Sequence, residues 1–512
     1  MKKHLISVLE KRLKKVVTRQ KTSFYDKFVY KLYRLYTKKA PNQELITSVK
    51  LLFCNKTSNK DVLKTLIASL DSREQEKIRL LKYSLLSTEL RAAYYSNKIE
   101  NIDETLKYQS YQELYKISLH KLRLKLEAGE KIRVGFLVVF DSVFPMESLY
   151  RKMLKDDLFA PAIVVVQHKI FGLNRMEKTY VALKKKYGDN VICGYNKETN
   201  EYLNFDNQFD LISTANPFDN YAHPLSSTKH FAQSGIPMFW ADYVPLQTEG
   251  QNIMTKDSQQ NFTWKIFPLE KYEQSRVMNN HLAGTNSAFF GWSKMDALSE
   301  VVKRNRSRKK IIIAPHHSVS NYPYHPKTSN FEKYADFFLS LPEKYPQIDW
   351  VFRPHPALFN NLNGSSNWEA GKSLSDWGEQ KCQEYIAKMM SYPNVEYQDG
   401  GDYFDTFVNS DGLIHDCMSF MAEYMFTGHP CCFCKKREVY QNVNEFFEKC
   451  VNHHYIAFEE KDIVTFIEDV VLNDNDPMKE SRKAFFEADL KGLYPHSTDA
   501  IIKYLKDEIK NA

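Results

Sequence analysis

The 512-residue chain has only 17 glycines, and they form neither a G-x-G-x-x-G nor a G-x-x-x-x-G-K-[ST] loop. That excludes the glycine-rich phosphate cradles. No apolar run approaches the roughly 20 residues that span a bilayer. Near the start, Leu5-Ile6 and Val8-Leu9 are broken by charges, so no signal-peptide apolar core is read there. The eight cysteines show no paired zinc spacing, and most lie in apolar sequence, as buried free thiols do. Cys431-Cys432-x-Cys434 offers soft ligands, but a tetrahedral site needs four. His316, His317 and His325 lack H-E-x-x-H or comparable spacing, and no G-x-S-x-G elbow is present. No metal and no serine-hydrolase chemistry is expected, and the absences point to the cytosol.

What is present is a substantial core and an uneven charge. Hydrophobic residues make up 43% and aromatics 14%, enough for two or three domains at this length. Residues 1–39 hold thirteen Lys and Arg against Glu10 and Asp26, a net of +11, so the rest of the chain carries −3. Leu5, Val8, Leu9, Leu13 and Val16 recur at helical spacing among the lysines, and Phe24, Phe28, Leu32 and Leu35 form a second stripe. A basic amphipathic segment with aromatics suits an anionic membrane surface. The competing reading is a helix packed on the protein with a solvated basic face. No nucleic-acid-binding motif accompanies the charge, so no nucleic-acid partner is expected. Residues 1–130 read as a helical accessory module.

At Ile132 the pattern changes. Strand-like runs at 133–140, 162–167, 191–192, 209–213 and 236–240 alternate with helical segments. A second series starts at Lys310-Ile-Ile-Ile-Ala314 and continues through 348–352, 395–397, Gly412-Leu-Ile-His415 and Cys431-Cys-Phe433. Alternation of this kind means α/β architecture, with parallel sheets covered on both faces. The charged run 302–310 reads as the linker, which divides the rest into domains at 131–300 and 301–512, with a cleft between them.

Three sets of chemically useful residues fall just after strands of the second series: His316-His317, Arg353-Pro-His355, and Asp416 with Ser419. In a parallel sheet they share one edge, where open α/β folds bind ligands. Arg353, His355, His316 and His317 supply donors for a diphosphate, and Ser419 with Glu423 one turn later suits a phosphate and a ribose. In the first series, Asp242 or Glu249 could act as general base, with His223 and His230 in reserve, and Asp141 and Tyr243 could bind an acceptor.

Residues 310–435 resemble the CDP-glycerol glycerophosphotransferases, the teichoic-acid and capsule polymerases. The likeness is carried by Arg353-Pro-His-Pro356, by Ile311-Ile-Ile-Ala-Pro-His-His-Ser318, and by Ser410 to Pro430, which is similar to the family's strand, Asp-Tyr-Ser-Ser, helix and Gly-Lys-Pro. It implies a GT-B fold of two Rossmann-like domains and a nucleotide-activated donor held by Arg353, His355, Asp416, Ser419 and Glu423. It also implies a polymer or lipid-linked acceptor at the inner membrane face. Two departures stand out. The family's Trp-His-Gly-Thr motif is replaced by Trp240-Ala-Asp242-Tyr243, and Asp-Tyr-Ser-Ser by Asp416-Cys-Met-Ser419. A sugar nucleotide is therefore an alternative donor.

The expectation is a peripheral membrane GT-B transferase of cell-surface polysaccharide synthesis. Asp242 is its base, and His355 and His317 neutralise leaving-group charge. The rivals are a sugar-nucleotide 2-epimerase-like enzyme, which has no need of the basic segment, and a non-catalytic scaffold.

Overall fold

The computed structural model describes residues 104–512 apart from 142–143, 170, 215–220, 242–243, 246–258, 320–326, 365–376 and 438–442. The basic segment 1–39 lies outside the described residues, as do Asp242, Tyr243, Glu249 and His325. No described helix is long and apolar enough to cross a membrane.

Two six-stranded parallel sheets dominate. The first contains β1 (Ile132–Val138), β2 (Phe159–Val165), β3 (Val191–Cys193), β6 (Leu211–Thr214), β7 (Met238–Trp240) and β8 (Lys265–Ile266), in the order β3-β2-β1-β6-β7-β8. A short hairpin of β4 (Tyr195–Asn196) and β5 (Glu201–Tyr202) stands apart from it. The second contains β9 (Lys310–Ala314), β10 (Asp349–Phe352), β11 (Val395–Tyr397), β12 (Gly412–His415), β13 (Cys431–Cys434) and β14 (Tyr455–Ala457), in the order β11-β10-β9-β12-β13-β14. Each sheet starts at its centre, winds two strands outward, and then returns to the other side. That is the Rossmann order, and repeated twice in one chain it gives a GT-B-like α/β protein. The central strands are apolar along their length because helices cover both faces: Ile311, Ile312, Ile313 and Ala314 are all buried.

The helices follow from their apolar spacing. In Phe331–Lys344, residues Phe331, Tyr334, Ala335, Phe338 and Leu341 form the buried stripe against the second sheet. Gly428, at φ +74°, ends the helical segment after β12, and Pro430 prevents its continuation.

Two helices sit elsewhere than sequence order suggests. Glu104–Glu127, read as the end of an accessory module, lies in the compact unit that begins at Asp103. Tyr111, Tyr115, Leu119 and Leu122 are buried there, and Gln112 donates to the Thr263 carbonyl at 2.8 Å. The final helix, Ser497–Lys510, returns to the first half of the chain. Its Ile501, Ile502, Leu505 and Ile509 are buried, Tyr504 meets Phe267, and Glu508 pairs with Lys265 at 3.0 Å.

Candidate functional site

β10, β9 and β12 are neighbours and parallel, with Phe352 opposite Ile313 and His415 opposite Ala314. The residues that follow them therefore emerge at one edge, and the crevice between β9 and β12 is where the winding direction reverses. Ligands of open α/β sheets bind at that point. The edge brings together His316, His317 and His355 as the sequence predicts. Ring centroids are 4.2 Å apart for His316 and His317, 4.3 Å for His317 and His355, and 5.3 Å for His316 and His355.

The backbone orients two of these rings. The Ala357 N–H donates to His355 Nδ1 at 3.1 Å, and the Ser318 N–H reaches His316 Nδ1 at 3.4 Å. A backbone amide only donates, so in neutral His355 Nε2 carries the proton, whereas His316 Nδ1 also lies 2.8 Å from the Ser318 hydroxyl, which can donate or accept. The Asn361 amide lies 3.3 Å from His317 Nδ1. One ring nitrogen of each histidine falls within 4.8 Å of the others, close enough for a metal. A metal needs lone pairs, however, and N–H donors suit an anion better. His355 is exposed at the mouth. Desolvation by its neighbours pushes its pKa below the ordinary histidine range.

Arg353 follows β10 directly, two residues before His355. It is buried, donates Nη1 to Gln398 Oε1 at 2.7 Å and Nη2 to the Gly401 carbonyl, and lies over the Tyr403 ring at 5.4 Å. Among the described residues no carboxylate forms an ion pair with it; Asp402 and Glu396 act on it only at a distance, and desolvation lowers its pKa. A buried cation bonded to neutral oxygens is a standing source of positive potential.

The two acids expected to touch the nucleotide are turned inward instead. Asp416, 3% exposed, accepts the His316 N–H at 2.6 Å, the Ser329 hydroxyl at 2.8 Å and the Asn330 N–H at 2.6 Å. It clamps the loop after β9 to the start of Phe331–Lys344. Burial outweighs those donors and raises its pKa to about 6. Glu423, 1% exposed, accepts Lys294 Nζ at 3.0 Å and the Tyr403 hydroxyl. A buried carboxylate must find donors inside, and these two have used theirs. Both position the edge and do not line it.

Ser419 is half-buried, with Oγ 3.1 Å from Cys417 Sγ. It lies inside the short helix Met418–Glu423 and does not cap it, since Cys417 holds the cap position without a side-chain bond. Asp141, at the carboxyl end of β1, is exposed and ion-paired with Arg175 at 2.7 Å. Of the reserve histidines, His223 stacks on Tyr202 at 3.8 Å and His230 pairs with Asp206 at 2.8 Å.

Three contributors were missed in the sequence. Lys294 and Tyr403 hold Glu423 from 129 and 20 residues away, and no local pattern announces such contacts. Lys436 had a signal: it follows β13 at the same carboxyl edge. It is half-buried, donates to the Lys327 carbonyl at 2.8 Å, and is pushed down to about 8 by desolvation and then by Lys327.

No protein-family model matches the chain, so the likeness to CDP-glycerol glycerophosphotransferases is not supported as family membership. No curated protein matches it either. Solved structures of similar architecture exist. S. aureus MnaA with UDP aligns over 73% of this chain and 96% of its own, at 10% identity and TM-score 0.47. UDP-GlcNAc 2-epimerase of Methanocaldococcus jannaschii, with UDP-GlcNAc and UDP, covers 73% and 99% at 11% identity and TM-score 0.47. Anabaena Alr3699/HepE, with UDP and glucose, covers 73% and 100% at 10% identity and TM-score 0.43. These proteins bind nucleotides or nucleotide sugars. At such identities and TM-scores they assign no role to any residue here, and the GT-B-like class rests on the two sheets themselves.

Proposed function

We propose that the protein is an enzyme of nucleotide-activated sugars that holds the diphosphate of its substrate at the carboxyl edge of β10, β9 and β12. The observation that carries this reading is the convergence of three histidines at the edge that also carries Arg353, a buried arginine that forms no carboxylate ion pair among the described residues. The Nε2–H group of His355, with the His316 and His317 rings beside it, gives directional bonds to phosphate oxygens. Arg353 supplies charge, and the Ser419 hydroxyl an additional donor. Donors fixed before the reaction stabilise negative charge as it develops on a departing diphosphate, without reorganising. His317 and His355 take that catalytic role, and no metal is needed for it.

Two outcomes use the same edge. Transfer to a polysaccharide or lipid-linked acceptor would employ Asp242 as base, Tyr243 and Asp141 as acceptor contacts, and segment 1–39 as the contact with an anionic membrane surface. The Asp141–Arg175 pair would then have to open. Epimerisation of the bound sugar requires neither acceptor nor membrane. A glycerol-phosphate donor is the third possibility, and it is distinguished by its cytosine base.

The test is calorimetry of the full chain with UDP, CDP, GDP and CMP. Saturable binding of a diphosphate is expected, weakened about tenfold in His355→Ala by loss of one hydrogen bond to a charged group. Absence of binding by all four would sink the reading. Incubation of UDP-GlcNAc without acceptor, followed by proton NMR, then separates the chemistries: a new epimer means epimerase, and an unchanged sugar leaves transfer.

Lys436 gives a pH signature. Its lowered pKa leaves it charged at pH 7 and neutral above about 8. Diphosphate affinity should therefore fall severalfold between pH 7 and 9. Lys436→Arg, which stays charged, should flatten that fall. An unchanged profile in the variant would remove Lys436 from the site.

A further inference from the structure

A second cluster, fully buried, gathers where β12 and β13 lie side by side. His415 ends β12 and Cys431 begins β13. Cys431 is in register with Leu413, two residues before His415, so both side chains fall on one face of the sheet as diagonal neighbours. His454 reaches the same place from the turn between the helix Glu445–Val451 and β14. The three are 2%, 1% and 2% exposed, and one ligand atom from each lies within 4.8 Å of the others.

The hydrogen bonds show which atoms face inward. His415 Nδ1 lies 2.9 Å from the Cys417 carbonyl, and His454 Nδ1 lies 2.7 Å from the Cys450 carbonyl. Carbonyls only accept, so both Nδ1 atoms carry the proton and both Nε2 atoms present lone pairs. Both Nε2 atoms are buried without a hydrogen-bond partner. The Met421 carbonyl also acts on His454, but His454 Nε2 has no partner within hydrogen-bonding geometry. The Cys431 thiol has a single proton for two lone pairs. Buried acceptors in native proteins are paired, so two oriented lone pairs and a thiol converging in the interior call for a shared partner.

We propose that His415, Cys431 and His454 bind a thiophilic d10 cation, Cu(I) in preference to Zn(II). Two imidazole nitrogens and one thiolate, each imidazole oriented through Nδ1 by a carbonyl, are the donor set and outer shell that such ions take. Binding replaces the S–H bond with a metal–sulfur bond and releases one proton to solvent. Cu(I) with a thiolate makes a neutral centre. Zn(II) would leave a net positive charge in a buried interior, and would lack its usual fourth ligand. This revises the sequence expectation of no metal. The ion would tie β12, β13 and the turn before β14 together, and through His415 would hold Asp416 and the loop it clamps.

The test uses the full chain, purified reduced and stripped of metal, then titrated anaerobically with Cu(I) against a chromogenic chelator and separately with Zn(II). One equivalent of Cu(I), bound at least tenfold more tightly than Zn(II), is expected. X-ray absorption should give one sulfur and two nitrogen neighbours. His454→Ala and Cys431→Ser should abolish the tight equivalent. Cys432→Ser, on the opposite face of β13, should keep it. No tight equivalent, a site made of several sulfurs, or binding retained in His454→Ala would each overturn the assignment. The absorption spectrum of the unaltered protein decides even if a variant fails to fold.

Discussion

Arg353→Ala is expected to weaken diphosphate binding by about a hundredfold, the largest effect of any single substitution at the edge. The size follows from burial. An exposed arginine loses most of its attraction to water and salt, whereas Arg353 is 6% exposed and spends its hydrogen bonds on the Gln398 and Gly401 oxygens, with no carboxylate ion pair among the described residues. On the proposed reading, the pull on a dianion would be made in a region of low dielectric. Arg353→Lys keeps a charge but loses the planar fork and the stacking over Tyr403, and should fall between the two. Calorimetry on both variants, with circular dichroism to verify the fold, checks this. If Arg353→Ala binds diphosphate as the parent does, the anion site is elsewhere.

Asp416→Ala should lower stability by about 3 kcal/mol or more, because it orphans the His316 N–H, the Asn330 N–H and the Ser329 hydroxyl in the interior. The loss should also depend on pH. The folded carboxyl holds its proton up to about pH 6, against an ordinary value of 3.8. The folded state is the better proton binder, so the stability this provides is fully present below about 3.8 and is lost as pH rises through about 6. The alanine variant lacks it. The gap between parent and variant should therefore be about 1 kcal/mol larger at pH 5 than at pH 7, read by urea unfolding. A gap that narrows toward pH 5 would mean that the three donors hold the carboxylate ionised, and that burial does not dominate.

The backbone was more legible than the side chains. Ile311-Ile-Ile and Gly412-Leu-Ile are continuous apolar runs, which only strands covered on both faces need, and they form β9 and β12 as expected. The edge itself could be read, since residues that follow parallel strands must emerge together. What could not be read is the direction in which an acid points. Asp416 and Glu423 have the spacing of ligand contacts, yet one clamps two loops and the other holds Lys294 and Tyr403. Sequence spacing does not separate an outward carboxylate from an inward one, because the difference lies in distant donors. The buried His415, Cys431 and His454 cluster was hidden for the same reason: its members meet only through strand register. The final helix was assigned to the second domain by order alone, while its apolar stripe finds its partner on the first half of the chain.

The most direct measurement is phosphorus-31 NMR of UDP titrated with the full chain, alongside the triple variant His316→Ala, His317→Ala, His355→Ala. Both diphosphate resonances are predicted to shift and broaden saturably with the parent protein and to stay at their free positions with the variant. Equal shifts in the two proteins, or none in either, would contradict the claim that this histidine edge holds the diphosphate.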